Sequence, residues 1–330
     1  MSKIGLAVAF IISFSSLVSS QESAERDVRA LSKLGIGAEK EGDGTWTIHF
    51  EDDLLIGDSV VKKAMGTKDT PGPLRRLKGV KTLLIYNSPI TSEGITALAE
   101  LGDVETLVLS GTQVDTAGMK AIAKMRKLKF LMPGFSVTDE GLAQLVNHPR
   151  IEELDLQTCS LTDQGIDHLV GMKKLKALDL SNQGLSVDGL KKLKQIGTLE
   201  SLHLRSANIS DTDLAALSGI KSLKVLFLDF NTELTGSGFE QVTGLDSLEV
   251  LSIYQVHFEG KNLKYLTRFP KLKTLQLYGI KQQCWVRDFT VLSSMKELRK
   301  VVVGSSREDA VAEAEFAKVM PKVELKFLGE

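Results

Sequence analysis

The residues with most chemical potential recur at one interval in the middle of the chain. Asp155, Asp179, His203 and Phe227 follow one another 24 residues apart, and Arg205 and Asp229 repeat the interval two positions later. Glu153 stands just ahead of Asp155. Set side by side, two carboxylates about 5 Å apart have the separation of the acid and nucleophile in retaining glycosidases. With His203 added, the same pair has the donor types of a metal site. Aspartates on any two neighbouring strands share that spacing, about 4.8 Å, so the distance alone is uninformative. An open, wetted face also lacks the closed pocket that shifts carboxylate pKa values. The favoured reading is a polar face whose Asp, His and Arg neighbours pair locally. It has no catalytic residue and no cofactor, and a metal at Asp155, Asp179 and His203 stays an open alternative. Elsewhere there is no His-Glu-x-x-His, Gly-x-Ser-x-Gly, Gly-x-x-x-x-Gly-Lys-Ser/Thr or Cys-x-x-Cys pattern. The sequon Asn208-Ile209-Ser210 matters only in a glycosylating cell.

The interval that lines these side chains up runs through most of the chain. Strand-like segments begin at Val80, Val104, Leu128, Ile151, Leu175, Leu199, Leu223, Leu248, Leu272 and Leu298, spaced 24, 24, 23, 24, 24, 24, 25, 24 and 26 residues apart. The unit is clearest in Leu175-Lys-Ala-Leu178-Asp-Leu180-Ser-Asn-Gln-Gly-Leu185. Positions one, four, six and eleven are apolar and point inward, while positions three, five and seven point outward because strand side chains alternate. Leu180 is therefore expected in the core and Ser181 at the surface. The second half of the unit reads as a helix, with Ile166, Leu169 and Met172 on one face. Thr138-Asp139, Thr162-Asp163 and Ser210-Asp211 offer an N-cap hydroxyl followed by a first-turn carboxylate. One such unit cannot bury both its leucine stripe and its helix face, so neighbours must stack.

Position five gives Leu84, Val108, Met132, Asp155, Asp179, His203, Phe227, Ser252 and Gln276. Position seven gives Tyr86, Ser110, Gly134, Gln157, Ser181, Arg205, Asp229, Tyr254 and Tyr278. The outward face is then expected to be apolar at its N-terminal end, charged in the middle and aromatic beyond. Phe227, Phe230, Tyr254 and Tyr278 should lie close together, with Arg205 and Asp229 at their margin. Aromatic and arginine anchors ringed by polar groups are the composition of interface hot spots.

The chain has 330 residues, 42% hydrophobic and 25% charged, with a formal net charge of −1. No basic stripe exists to neutralise phosphates, so nucleic acid is not an expected partner. Lys3, the uncharged run Ile4 to Val18 and the small residues before Gln21 read as a signal peptide, 1–20, cleaved after Ser20. An uncleaved anchor is the alternative, and no later segment approaches membrane length. Residues 21–79 read as an N-terminal cap: a helix over Arg26 to Leu34, a strand over Thr45 to Phe50, and a degenerate repeat over Asp53 to Gly79. Repeats occupy 80–303. Residues 304–330 make a C-terminal cap, with a helix over Arg307 to Met320 and an edge strand over Val323 to Phe327. Pro133 stands where a sixth-position leucine belongs and should bend or bulge the array. A two-residue insertion surrounds Gln282-Gln283-Cys284-Trp285. Cys159 and Cys284 fall five strands apart, roughly 24 Å against a limit of about 7 Å, so no disulfide is expected.

The Leu-x-x-Leu-x-Leu frame and the segment Leu161-Thr162-Asp163-Gln164-Gly165-Ile166-x-x-Leu169 resemble the cysteine-containing, GALA-like subclass of leucine-rich repeats over about residues 80–328. Many secreted bacterial leucine-rich-repeat proteins carry this form. They open on a similar helix-glycine-strand, here Ala30 to Gly35. The resemblance implies an α/β fold: a right-handed solenoid, or horseshoe, with a parallel inner sheet and outer helices, capped at both ends. It also places Cys159 at the buried ninth position. The expected function is recognition of a protein or envelope polymer outside the cytoplasm by the concave face. Arg205, Phe227, Asp229, Phe230, Tyr254 and Tyr278 would carry most of the affinity, beside Asp155, Asp179 and His203. A structural envelope component is the alternative. A GALA-like adaptor would need an F-box-like helical segment in Glu22 to Gly79, and none is found there.

Overall fold

The computed structural model describes residues 21–50, 56–157, 159–278, 286–304 and 310–328, except the side chains of 278, 286–287, 310–313 and 327–328. The chain forms two compact units, Met1–Ser136 and Val137–Glu330. The boundary follows Pro133 and Gly134 closely, where the repeat was expected to be irregular.

The first unit opens with a helix, α1, over residues 21–32. A hairpin follows, β1 (Ile36–Lys40) antiparallel to β2 (Trp46–Phe50). Sequence patterning had shown only the second of these strands. Helices α2 (Asp58–Met65) and α3 (Pro73–Arg76) fill the degenerate repeat. From β2 onward the strands are parallel: β3 (Val80–Tyr86), β4 (Thr106–Ser110) and β5 (Phe130–Met132) pair in sequence order. Helices α4 (Ser92–Leu98) and α5 (Thr116–Ile122) lie between them in sequence. Gly134 ends β5 at φ +85°, and a Cβ there would sit 2.4 Å from the Leu109 carbonyl oxygen, so only glycine fits.

The second unit carries β6 (Glu153–Asp155), β7 (Ala177–Asp179), β8 (Ser201–His203), β9 (Val225–Phe227), β10 (Val250–Tyr254), β11 (Thr274–Tyr278), β12 (Lys300–Gly304) and β13 (Glu324–Leu328). They pair in parallel, each with its successor. Leu154, Leu178, Leu202, Leu226, Leu251 and Leu275 stand in register and are at most 1% exposed. Helices α6 (Asp139–Ala143), α7 (Asp163–Val170) and α8 (Val187–Lys192) alternate with the first strands, and α9 (Ala310–Val319) precedes β13. One strand per repeat, in parallel register over an inward leucine stripe, makes this an α/β leucine-rich-repeat solenoid.

Two expectations need correction. The second half of the repeat is helical only as far as α8 and its short continuation, Leu193–Gln195. Beyond it, Leu214–Leu217, Ser237–Glu240, Gly260–Arg268 and Val286–Ser294 are 3-10 segments. In α4, α5, α7 and α8 a first-turn glycine packs closely on the preceding repeat. A Cβ on Gly165 would lie 2.4 Å from Asp139 Oδ1, and one on Gly189 2.1 Å from Asp163 Oδ1. At the equivalent place in the next repeat stands Asp213, but Ser237–Glu240 keeps a closely packed glycine, Gly238, and is 3-10 all the same, so the glycine alone does not set the helix type. Ser210 caps no α-helix, and its hydroxyl donates to Asp213 at 2.5 Å.

The second correction concerns Ser181, which is 3% exposed rather than superficial. Its Oγ accepts from the Arg205 amide at 3.2 Å and its own amide donates to Asp179 at 2.8 Å. The short side chain lies beneath the longer residues beside it.

Hydrogen bonds tie repeat to repeat. Asp139 accepts from the amide and hydroxyl of Thr162, and Asp163 from those of Ser186. The carboxylate thus serves the next repeat's N-cap as well as its own helix. At position nine, Asn231 is buried: Nδ2 donates to the Leu204 and Leu228 carbonyls, while Oδ1 accepts from Ala207 and Ile209 amides. Cys159, also at position nine, is a buried thiol whose pKa burial pushes up to about 12. Cys284 and the insertion around it lie outside the described residues.

Candidate functional site

The face opposite the leucine stripe of the second unit carries the predicted residues. Asp155, Asp179, His203, Phe227, Ser252 and Gln276 are register partners across β6 to β11. Alternation along the strand sends them away from the core, which the intervening leucines occupy.

From Asp179 to Asp229 the side chains form one connected series. His203 Nδ1 lies 3.2 Å from Asp179 Oδ2, and Nε2 lies 3.3 Å from Ser201 Oγ. Burial pushes the Asp179 carboxyl up, but hydrogen bonds from His203 and Ser181 outweigh it and hold it below its ordinary value. The His203 ring meets Phe227 edge-on, 4.5 Å between centroids. Over Phe227 lies the Arg205 guanidinium, 4.7 Å from the ring centroid, with Nε 3.1 Å from Asp229 Oδ2. Asp229 Oδ1 accepts from Ser252 Oγ at 2.5 Å and the Tyr254 amide at 2.8 Å.

Asp229 was expected outward but is buried, 5% exposed. Arg205 and Ser252 enclose it, so it supports the face rather than lining it. Asp155 and Asp179 do not act as equivalents either. Asp179 is committed to His203, whereas among the described residues Asp155 accepts from Gln157, through its amide at 3.2 Å and Nε2 at 3.0 Å. Burial first, and repulsion from Asp179 second, raise the Asp155 carboxyl above its ordinary value. Among the described residues no group of three His, Cys, Asp or Glu side chains is placed to hold a metal ion.

Beyond this series lies an aromatic pair. Phe230 is 45% exposed and its ring centroid is 5.0 Å from that of Tyr254. Tyr278 is paired with Tyr254 in backbone register, while its side chain lies outside the described residues. Phe230 sits at φ +61°, in the left-handed region. So do the residues leaving the strands of neighbouring repeats: Asn182 at +62°, Ser206 at +50° and Gln255 at +48°. Asparagine and glycine tolerate this backbone; a bulky ring does not. This row was missed in the sequence, although its signal was visible at position eight. Asn87, Gly111, Asn182, Ser206 and Gln255 are small or polar there, whereas Phe135 and Phe230 are aromatic.

A second missed pattern lies at position two, where Lys and Glu alternate along both units. Glu152–Lys176, Glu200–Lys224 and Glu249–Lys273 pair at 2.6, 2.9 and 2.8 Å, and in the first unit Glu105 meets Lys129 at 2.5 Å. Each exposed pair contributes about 0–1 kcal/mol, so the row acts on which strand pairs with which more than on stability. In the first unit, the row His49, Leu84, Val108 and Met132 faces outward and is mainly apolar, as expected.

No curated protein sequence matches the chain. Among solved structures it is similar to an internalin (inlF) from Listeria monocytogenes str. 4b F2365. The two are 17% identical over 83% of this chain and 89% of that one, with a TM-score of 0.43. Residues 198–218, which carry β8 and both Ser201 and His203, match the family described as Leucine Rich repeat.

Proposed function

We propose that this chain is a secreted or envelope-associated interaction module whose second unit binds a protein partner on the sheet face from Arg205 to Tyr278. The observation that carries the reading is Phe230. Its left-handed backbone costs about 1–2 kcal/mol. Leaving a large ring half exposed forgoes a good part of the 1.5–3 kcal/mol or so that burial provides. Within the fold the ring meets only part of this through Tyr254, 5.0 Å between centroids, whereas an interface that covers the ring would recover more. Phe227 under Arg205 and the Phe230–Tyr254 pair are then the anchors, and buried Asp229 holds Arg205 in place.

Leucine-rich-repeat arrays generally serve as protein-interaction modules. Secretion rests on the character of residues 1–20, which lie outside the described residues. No helix among the described residues is long and apolar enough to cross a membrane.

The test uses residues Gln21 to Glu330 as bait in an extract of the source's envelope and secreted proteins. A folded Phe227→Ala/Tyr254→Ala variant runs alongside, with mass spectrometry of what each retains. One species held by the wild type and lost with the variant supports the face. Identical retention on both baits removes it.

A further inference from the structure

The carboxylates across β6 to β9 are not equally partnered. Asp179 lies within hydrogen-bond distance of His203, and Asp229 forms an ion pair with Arg205. Among the described residues no ion pair includes Asp155, whose hydrogen bonds come from the neutral Gln157 alone. It is half-buried, its strand neighbour Asp179 is also acidic, and exposed Glu153 stands beside it. The nearest cation on this part of the face, Arg205, is engaged with Asp229. A cationic ligand finds a carboxylate already partly stripped of water, where a charged hydrogen bond is stronger than in bulk.

Resting on the interaction reading above, we infer that Asp155 seats a Lys or Arg side chain of the bound protein. The same segment lays an aromatic or large apolar side chain on Phe230 and Tyr254. Asp155 lies on β6, and Phe230 and Tyr254 lie at β9 and β10, three to four strand steps away, or about 14–19 Å. Extended chain rises about 3.4 Å per residue, so about four to six residues span that distance. The recognised segment is therefore basic and extended, crossing the strands, with cation and ring about four residues apart. The carboxylate selects the cation and the aromatic pair supplies apolar area. Charge complementarity of this kind sets specificity and orientation.

The test titrates three acetylated, amidated peptides into the 15N-labelled full chain: Lys-Ser-Gly-Ser-Trp, Glu-Ser-Gly-Ser-Trp and Lys-Ser-Gly-Ser-Ala. The first is expected to shift the amides of Asp155, Gln157, Phe230 and Tyr254, with an affinity that falls as salt rises. Asp155→Asn should weaken it about five- to tenfold and remove the salt dependence, while the Phe230 and Tyr254 shifts persist. The glutamate peptide should bind the wild type no better than the lysine peptide binds Asp155→Asn. Equal affinity of the lysine and glutamate peptides, or no effect of Asp155→Asn, overturns the cation seat and leaves the interaction face standing. Shifts at Asp155 without any at Phe230 and Tyr254 overturn the two-point segment. No shift with any peptide overturns the inference outright, and the face itself is then decided by the bait comparison.

Discussion

Arg205 lies flat over Phe227, 4.7 Å from guanidinium carbon to ring centroid, because Asp229 holds its Nε at 3.1 Å from below. The buried acid and the exposed cation have unequal structural weight. Asp229 also accepts from Ser252 Oγ and the Tyr254 amide, so Asp229→Ala removes an acceptor from both, with Ser252 left the longer contact to Gln276, and should cost about 1–3 kcal/mol. Arg205→Ala loses an exposed pair and a cation–π contact, about 0.5–1 kcal/mol. Urea unfolding of both variants checks the order; equal losses would contradict the supporting role of Asp229.

Phe230→Asn should raise stability while lowering binding. Asparagine accepts the left-handed backbone at φ +61° that phenylalanine adopts under strain, a gain of about 0.5–1 kcal/mol. The urea midpoint should move up and partner retention should fall. A midpoint that drops would show that the stacking on Tyr254 outweighs the strain.

The two aspartates on adjacent strands should respond to acid in opposite senses. Asp179 is held below its ordinary value, so its contribution is present above about pH 3.8, the unfolded value, and is lost as pH falls through the lower folded one. The stability gap between wild type and Asp179→Asn should be level near neutrality and shrink below about pH 4. Asp155 is raised by burial, so its charged form opposes folding at neutral pH. Asp155→Asn should therefore unfold at equal or higher urea at pH 7, with the difference fading on acidification. Urea midpoints measured across that range decide both.

Leu180→Asp places a carboxylate in a site that is 0% exposed and should cost more than about 4 kcal/mol, enough to break the second unit's array. Ser181→Asp should be milder yet far from silent. At 3% exposure beside Asp179 it should cost about 2–3 kcal/mol. Thermal unfolding of both variants separates them from a surface control such as Lys173→Ala.

Cys159 should resist alkylation in the native chain. Its thiol is buried, with a pKa of about 12, so almost no thiolate exists at pH 8. In a Cys284→Ser background, iodoacetamide should label the protein in denaturant and leave it unlabelled when folded. Rapid native labelling would mean that the region opens.

The repeat, the parallel strands, the leucine stripe and the row from Asp155 to Phe227 were legible in the sequence. Each follows from a residue type recurring at a constant interval, and period is a one-dimensional property that translates directly into register. Periodicity assigns each side chain a direction, but it carries no information on what will cover that side chain. Ser181 and Asp229 point outward as their positions require, yet both are buried, Asp229 beneath the Arg205 side chain and Ser181 against the Arg205 backbone amide. The change from α-helix to 3-10 turns after α8 likewise emerges only in the tertiary structure. Only the tertiary structure pairs Asp179 with His203, leaves Asp155 without a cation and holds an exposed Phe230 in left-handed backbone. All three depend on contacts between residues about 24 positions apart. Those contacts form across neighbouring strands, where distance and desolvation decide the partner.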